Sequence, residues 1–343
     1  MWPERISTEE ELDELLTRPR PALIDAVRRL NSPLLVLGAG GKMGPTLAVM
    51  ARRAALAGGS DLEVIAVSRF SDVKAQEWLQ SQGVQTLSCD LMDRQSLDGL
   101  PEATSIVYMI GAKFGTTQQP AHTWTINALI PAYVAERYRN AHIVALSSGN
   151  VYPLVPVGSG GSQETDPLTP LGEYANSCVA RERIFEFFSR RNGTPMVLIR
   201  LNYAVELRYG VLVDIAQKVQ AGQPIDITMG YLNCIWQADA NEMILRTLAM
   251  TEAPPLVLNI TGAETFSVRW LAQRFGELLG REVHIIGQEA ETALLSNSAK
   301  ARALLGNPPT PIERVLQWTA QWLKDGGRLL AKPTHFEVRD GKY

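Results

Sequence analysis

Histidine and cysteine are scarce in this sequence, with four and three among 343 residues. Cys89, Cys178 and Cys234 are odd in number and far apart, and no Cys-x-x-Cys pair occurs. Neither a disulfide framework nor a zinc site is indicated, and a reducing compartment is expected. His122, His142, His284 and His335 show no ligand spacing, so no metal is expected; His142 instead begins a core strand. No apolar stretch reaches the ~18 residues that span a bilayer, so no membrane partner is expected. The opening MWPERISTEEELDELL is acidic and amphipathic where a signal peptide would be basic and then apolar, and a cytoplasmic location is expected. Excess charge is missing too: 33 Lys and Arg stand against 36 Asp and Glu, a net charge of -3. That balance offers no footprint for nucleic acid, and the expected partner is a small molecule.

What the chain has is apolar residues, 45% of the total, enough to bury a large core as one domain or two intimately joined ones. Residues 1–32 read as a helical preface: Ser7 or Thr8 followed by glutamates signals a helix start, Pro19 and Pro21 interrupt, and ALIDAVRRL resumes. From Pro33, the apolar runs PLLVLG, EVIAVS, SIVYMIG, HIVALSS and PMVLIR alternate with helices expected at 45–57, 72–81, 121–139 and 174–191. This is the rhythm of an α/β fold with a doubly wound parallel sheet, expected over 33–200. Helices at 210–222, 239–250, 267–279 and 311–325, with LVLNITG and EVHIIG as short strands, suggest a smaller substrate-binding lobe over 201–330. VGSGGS at 157–162 reads as a mobile loop. The tail, 331–343, mixes aromatics with charges and suggests either a docking segment or a frayed terminus.

LLVLGAGGKMGPTLAVMARRA places Gly38, Gly41 and Gly44 directly after a strand, with Pro45 at the first position of the next helix. Gly38 allows a tight turn, Gly41 lets the backbone approach a pyrophosphate, and Gly44 lets helix and strand pack closely. Lys42 and Met43 lie within the same loop and are assigned to cofactor binding with it. At the end of the second strand an NAD-binding chain offers a carboxylate; here Ser68 and Arg69 stand ready for a 2′-phosphate, which favours NADP over NAD. In CDLMD, Asp90 suits the adenine amino group or a helix cap, with Leu91 beside it.

With VALSSGNVY at 144–152 and ETDPLTPLGEY at 164–174, these pieces resemble an extended short-chain dehydrogenase/reductase of the NAD-dependent epimerase/dehydratase family over most of 33–325. ADANEMILRTL and NITGAETFSVRWLAQRFGELLG resemble that family's C-terminal segments. The resemblance implies Ser148 as the hydroxyl on the reacting oxygen and Tyr174 as general acid/base. It implies Gly111, Ala112 and Lys113 as lining for the cofactor and Asn127 as a helix asparagine near the site. Ser148, Asn150, Asn202 and Trp236 are the implied substrate contacts, Trp236 because it precedes the ADAN segment, although such tryptophans more often sit in cores. Helices 121–139 and 174–191 resemble the pair through which the family dimerises, so a homodimer is expected. Gly149 and Asn150 replace the acidic pair of family dehydratases, which disfavours elimination, and Arg200-Leu-Asn202 replaces an Arg-x-x-Asn motif.

The largest departure is Tyr174-Ala-Asn-Ser-Cys178, where the resemblance calls for Tyr-x-x-x-Lys. Residues four apart share a helix face, so the geometry of a Tyr-Lys couple survives without its charge. A free tyrosine titrates near 10, leaving about one part in a thousand ionised at neutral pH; a ~3 unit depression corresponds to about 4 kcal/mol of phenolate stabilisation. A thiol supplies none of it, and a thiolate would push the phenol upward. Three readings follow. Hydride transfer persists between a secondary alcohol and a ketone of a sugar-like skeleton, with Lys113 or Arg181 standing in as cation. Alternatively, the chain is a non-catalytic NAD(P)-binding protein that senses redox state or scaffolds a partner. Finally, Cys178 acts as a nucleophile, though a buried inert thiol is the commoner role of a lone cysteine.

Overall fold

A computed structural model describes residues 2–342 except Phe114, Thr116 and Thr117. Seven strands form the central sheet: β1 (Leu34–Leu37), β2 (Val64–Ser68), β3 (Gln85–Ser88), β4 (Ser105–Tyr108), β5 (His142–Ser148), β6 (Met196–Leu201) and β7 (Leu256–Ile260). Their order is β7-β6-β5-β4-β1-β2-β3, and every pairing is parallel. The order reverses between β1 and β4, and at such a switch point the strand C-termini open a crevice.

Side-chain alternation divides the core. Leu34 and Val36 of β1 face one side with Val64, Val107, Val144 and Ile199, while Leu35 and Leu37 face the other with Ile65, Ile106, Ile143 and Leu198. The helices that cover the first face are α1 (Glu9–Thr17), α2 (Pro21–Val27) and α3 (Gly44–Gly58). Thr8 caps α1 through a reciprocal bond pair with Glu11, a device worth about 1 kcal/mol. Leu12, Leu15 and Leu16 then bury against α3, and Arg20 pairs with Asp239 at 2.8 Å and Glu242 at 2.7 Å. The preface is therefore part of the main core.

Between β2 and β5 run α4 (Val73–Ser81), α5 (Arg94–Asp98), α6 (Pro120–Trp124) and α7 (Ile130–Arg137), with a π turn at Thr125–Leu129 joining the last two. The uninterrupted helix expected at 121–139 is thus broken by an extra residue per turn, the local distortion that often marks functional positions. α8 (Glu173–Asn192) follows β5. After β6 come α9 (Val211–Gln220), α10 (Gln237–Arg246), α11 (Val268–Leu279), α12 (Ala299–Leu305) and α13 (Ile312–Lys324).

Three expectations are corrected. LVLNITG reads as a lobe strand, yet β7 pairs with β6 from Leu256↔Val197 to Ile260↔Leu201 and closes one edge of the central sheet. Pro45 is the second helical residue, because α3 begins at Gly44. VGSGGS is tied down: Ser162 is buried, its N–H donates to Leu295 at 2.9 Å, and its carbonyl accepts from Asn297 at 2.8 Å. Among the described residues, no helix is long and apolar enough to cross a membrane.

Candidate active site

The loop after β1 is shaped by contacts that only glycine permits. Gly38 has φ +86°, and a Cβ there would lie 2.8 Å from Ile110 Cγ1 in the strand-end opposite. A Cβ on Gly44 would fall 2.5 Å from the Ala39 carbonyl oxygen, so α3 starts hard against the loop. Gly41 is exposed, and Met43 caps α3 without a side-chain bond. The first amides of a helix of 15 residues therefore face the crevice, the arrangement that binds a pyrophosphate. These residues fit a dinucleotide.

Lys42 lies over the Tyr209 ring, 3.1 Å from its centroid. Burial, then repulsion from Lys113 and Lys332, lowers its pKa to about 7 against the opposing pull of Asp214 and Glu206. At the end of β2, Ser68 is half-buried beside Gly40, whereas Arg69 is exposed and Phe70 takes φ +46°. Asp90 accepts from the Met92 N–H at 3.0 Å, so it caps a turn; α5 is capped by Asp93, and Leu91 belongs to the core.

The wall after β4 is held by the π turn. Asn127, fully buried, accepts from the Ala112 N–H at 2.9 Å and donates to the Ala112 carbonyl at 3.0 Å and to Ser177 at 2.9 Å. Arg181 donates to Asn127 at 2.6 Å and to the Leu146 carbonyl at 3.0 Å. Its guanidinium lies under Gly111, where a Cβ would meet Nη2 at 2.8 Å. Asn127 and Arg181 together clamp the Gly111–Ala112 backbone against α8.

Ser148 ends β5 and donates to Asn150 Oδ1 at 3.0 Å while accepting from the Asn150 N–H at 3.1 Å. Tyr174, in the first turn of α8, hydrogen-bonds with Ser148 and Cys178. Tyr174 and Ser148 are 9% and 7% exposed, and Cys178 is fully buried. Burial, reinforced by Cys178, pushes the Tyr174 phenol well above its ordinary range; Ser148 and Arg181 pull the other way. Burial also raises the Cys178 thiol, the direction opposite to nucleophilic activation.

A cation does stand beside this pair. Lys113 Nζ is 6.0 Å from the Tyr174 ring centroid and donates to the Thr334 carbonyl at 3.3 Å. Burial lowers its pKa to about 8, with Cys178 and Asp214 acting in the opposite sense. Of the two stand-ins expected from sequence, Arg181 donates to Asn127 and Leu146 and draws the Tyr174 phenol downward, and Lys113 Nζ lies 6.0 Å from the Tyr174 ring centroid.

The helix is fixed to the sheet one turn beyond. Glu182 accepts from Ser147 at 2.5 Å and forms a buried ion pair with Arg200 at 2.8 Å. Arg200 also donates to Tyr152 at 2.7 Å, and Tyr152 donates to Asn259 at 2.8 Å. Glu164 of the ETDPLTP segment accepts from the Asn259 N–H at 2.9 Å, so that motif staples β7 to the approach of α8.

The glycine loop follows β1, the clamped backbone follows β4 and Ser148 ends β5, so the three stand at the C-terminal edge of the parallel sheet. The model of the NAD dependent epimerase/dehydratase family matches residues 34–227. The chain belongs to that family. No curated protein sequence matches it. Solved structures similar in fold include UDP-glucose 4-epimerase from Thermotoga maritima with UDP-glucose, at 17% identity and TM-score 0.69, covering 86% of this chain and 99% of that one. UDP-glucose 4-epimerase from Thermus thermophilus in complex with NAD is 19% identical with TM-score 0.69, covering 85% and 99%. dTDP-glucose 4,6-dehydratase from Bacillus anthracis in complex with NAD is 16% identical with TM-score 0.72, covering 86% and 97%.

Two of the expected substrate contacts are buried. Trp236 is buried, 5.6 Å from Trp318 centroid to centroid, and Trp318 in turn donates to the Pro3 carbonyl. Asn202 is buried and donates to Asn233 at 2.8 Å; the 148–150 turn packs on it, for a Cβ on Gly149 would lie 3.0 Å away. Sequence reasoning missed the role of Arg200 and Glu182 as a fixing pair, although both are charged residues in otherwise apolar segments.

Proposed function

We propose that this chain binds NAD or NADP and interconverts a secondary alcohol and a ketone in a sugar-like substrate, as an oxidoreductase or epimerase. The observation that carries the reading is the Tyr174 phenol hydrogen-bonded with Ser148 at the end of β5. The sugar epimerases and dehydratase similar in fold support the substrate class. When bound, the nicotinamide supplies a hydride donor and acceptor at C4.

Tyr174 moves the proton. Its raised pKa keeps the phenol protonated at neutral pH, so it is poised to protonate the oxygen of a ketone as hydride reaches the adjacent carbon. In the reverse direction the alcohol gives its hydride from carbon and its O–H proton to the phenolate, so charge and atoms balance. Ser148 directs its hydroxyl to the same oxygen, and Asn150 orients Ser148. Epimerisation follows when hydride returns to the opposite face of the ketone. Gly149 and Asn150 offer no acid/base pair for elimination.

Gly38, Gly41, Lys42, Met43 and Gly44 would hold the pyrophosphate, and Gly111, Ala112 and Lys113 the nicotinamide side. Ser68 and Arg69, with no carboxylate at the end of β2, favour NADP. A homodimer through α7 and α8 is supported by the exposed Leu129 and Phe187, 40% and 56% accessible on this helix region. A cytoplasmic location accords with three free cysteines. The test is NADH and NADPH fluorescence on mixing with full-length protein, followed by 340 nm absorbance with a panel of nucleotide sugars and sugar alcohols. Cofactor capture with turnover of one panel member is expected; capture with none after Cys178→Lys would favour a non-catalytic binding protein.

A further inference from the structure

The C-terminal tail is a strap that runs from Arg208 past α9 to the lead into α8. The Leu330 N–H donates to the Arg208 carbonyl, and buried Thr334 is fixed to Asp214 through its N–H at 2.8 Å and its hydroxyl. Phe336 is buried, and Glu337 pairs with Lys218. Arg339 donates to the Thr292 carbonyl at 2.8 Å and its hydroxyl at 2.7 Å. Gly341 then packs on Leu171 and Gly172, the residues that lead into α8. Non-glycine Ala331 and His335 take φ +50° and +55°, conformations that persist where surrounding contacts impose them.

One contact of this strap reaches the chemistry: the Thr334 carbonyl receives the Lys113 ammonium, whose nitrogen lies 6.0 Å from the Tyr174 ring centroid. The carbonyl is itself immobilised, because the N–H and hydroxyl of the same residue are bound to Asp214. Position 178, where a helix-borne lysine would approach the phenol from below, holds a buried thiol. We propose that the strap is part of the active site, holding Lys113 over Tyr174 so that it supplies the positive charge that α8 lacks at Cys178. This rests on the oxidoreductase reading and deepens it: Lys113 acts on Tyr174 electrostatically, and Thr334 with Asp214 positions Lys113. A loop lysine has four flexible methylenes, so without the carbonyl its charge would spread over many rotamers and into water.

The groups facing the pair are Ser148 at the end of β5, Cys178 and Arg181 from α8, Asp214 from α9, Lys42 from the glycine loop and Lys332 from the strap. Arg181 and Cys178 act on Tyr174 in every variant below except where Cys178 is replaced. The change on removing Lys113 therefore reports that one charge.

The experiment reads Lys113 itself in the protein saturated with NAD, by reductive methylation with 13C-formaldehyde and NMR titration from pH 6 to 11, with Lys113→Met as the blank that assigns its signal, alongside turnover at pH 7, where Lys113 is protonated. The full-length chain should give a Lys113 midpoint near 8. A chain ending at Leu330 should move that midpoint upward by about one pH unit or more as the ammonium passes from its buried place into water, and should lose turnover about tenfold, as should Lys113→Met. Asp214→Ala, which frees Thr334 while leaving the strap in place, should show part of both changes if truncation unfolds the chain. Cys178→Lys should restore turnover in both the Lys113→Met and the truncated backgrounds, a rescue that general damage to the fold would not permit. Unchanged turnover in Lys113→Met, or a truncated chain that retains the full-length Lys113 midpoint, overturns the proposal. Absence of NAD uptake in these samples would instead sink the oxidoreductase reading, so the two failures are distinct.

Discussion

Around Glu182, α8 carries a buried carboxylate joined to Arg200 at 2.8 Å and to Ser147, with Tyr152 and Asn259 completing the network. One turn earlier, around Cys178, the same helix presents a buried thiol and a phenol pushed upward by burial. The first turn uses charge to fix the helix on β6. The second has a thiol at position 178 and has Arg181 of the same helix and Lys113 of the loop after β4 as its nearby cations. Buried charge is stable where every lone pair and proton is matched, and a buried lysine without a carboxylate partner is not. The Lys113 ammonium meets the Thr334 carbonyl, and Thr334 is itself bound to Asp214.

The contrast predicts different failures in the two turns. Tyr174→Phe should abolish hydride transfer by about 10²–10⁴-fold while leaving the unfolding midpoint in urea nearly unchanged; retained turnover would remove Tyr174 from the chemistry. Arg200→Met should do the reverse, costing about 3–5 kcal/mol in urea unfolding because Glu182 is left buried and unpaired. If the loss is under about 1 kcal/mol, the network is not what fixes α8.

Cys178→Lys sharpens the comparison further. It should raise turnover about tenfold in a Lys113→Met background and less in the wild type, where one cation already serves the phenol. A variant impaired in both backgrounds would contradict the electrostatic account. The pH dependence has a definite sign: Lys113 loses its proton as pH rises through about 8, so wild-type turnover should fall above that pH. Lys113→Met should lack this limb, which a turnover profile from pH 6 to 10 would reveal. Arg69→Asp should give the smallest of these effects, moving preference from NADP toward NAD by about tenfold or more in measured affinities.

Much of the fold was legible because its strands and helices carry their own periodicity. β1, β5 and α8 fall within a residue or two of the expected bounds, and Gly38, Gly41 and Gly44 need no tertiary partner to declare a tight loop. β7 was misassigned because an apolar run reads the same in a lobe as at a sheet edge; only its pairing with Met196–Leu201 tells them apart. The π turn at Thr125–Leu129 hides in a sequence that scans as one helix, since a single inserted residue leaves the apolar spacing nearly intact. Trp236 stands next to a segment associated with substrate, but neighbours in sequence point to different sides of the chain, and its ring packs on Trp318. The strap has no repeat at all: Thr334, Arg339 and Gly341 each find a partner in a different segment, and nothing local encodes those meetings.

The central claim is that a dinucleotide rests on the amides of the glycine loop with Lys42 beside it. Calorimetric titration of full-length protein with NADP and NAD at pH 8, in two buffers of different ionisation enthalpy, tests it most directly. Burial and its lysine neighbours hold Lys42 near 7, so at this pH it is largely neutral before binding, and an arriving pyrophosphate should raise its pKa and draw in a proton. The account predicts one dinucleotide per chain with net proton uptake, lost in Lys42→Met; no heat of binding with either dinucleotide would contradict it.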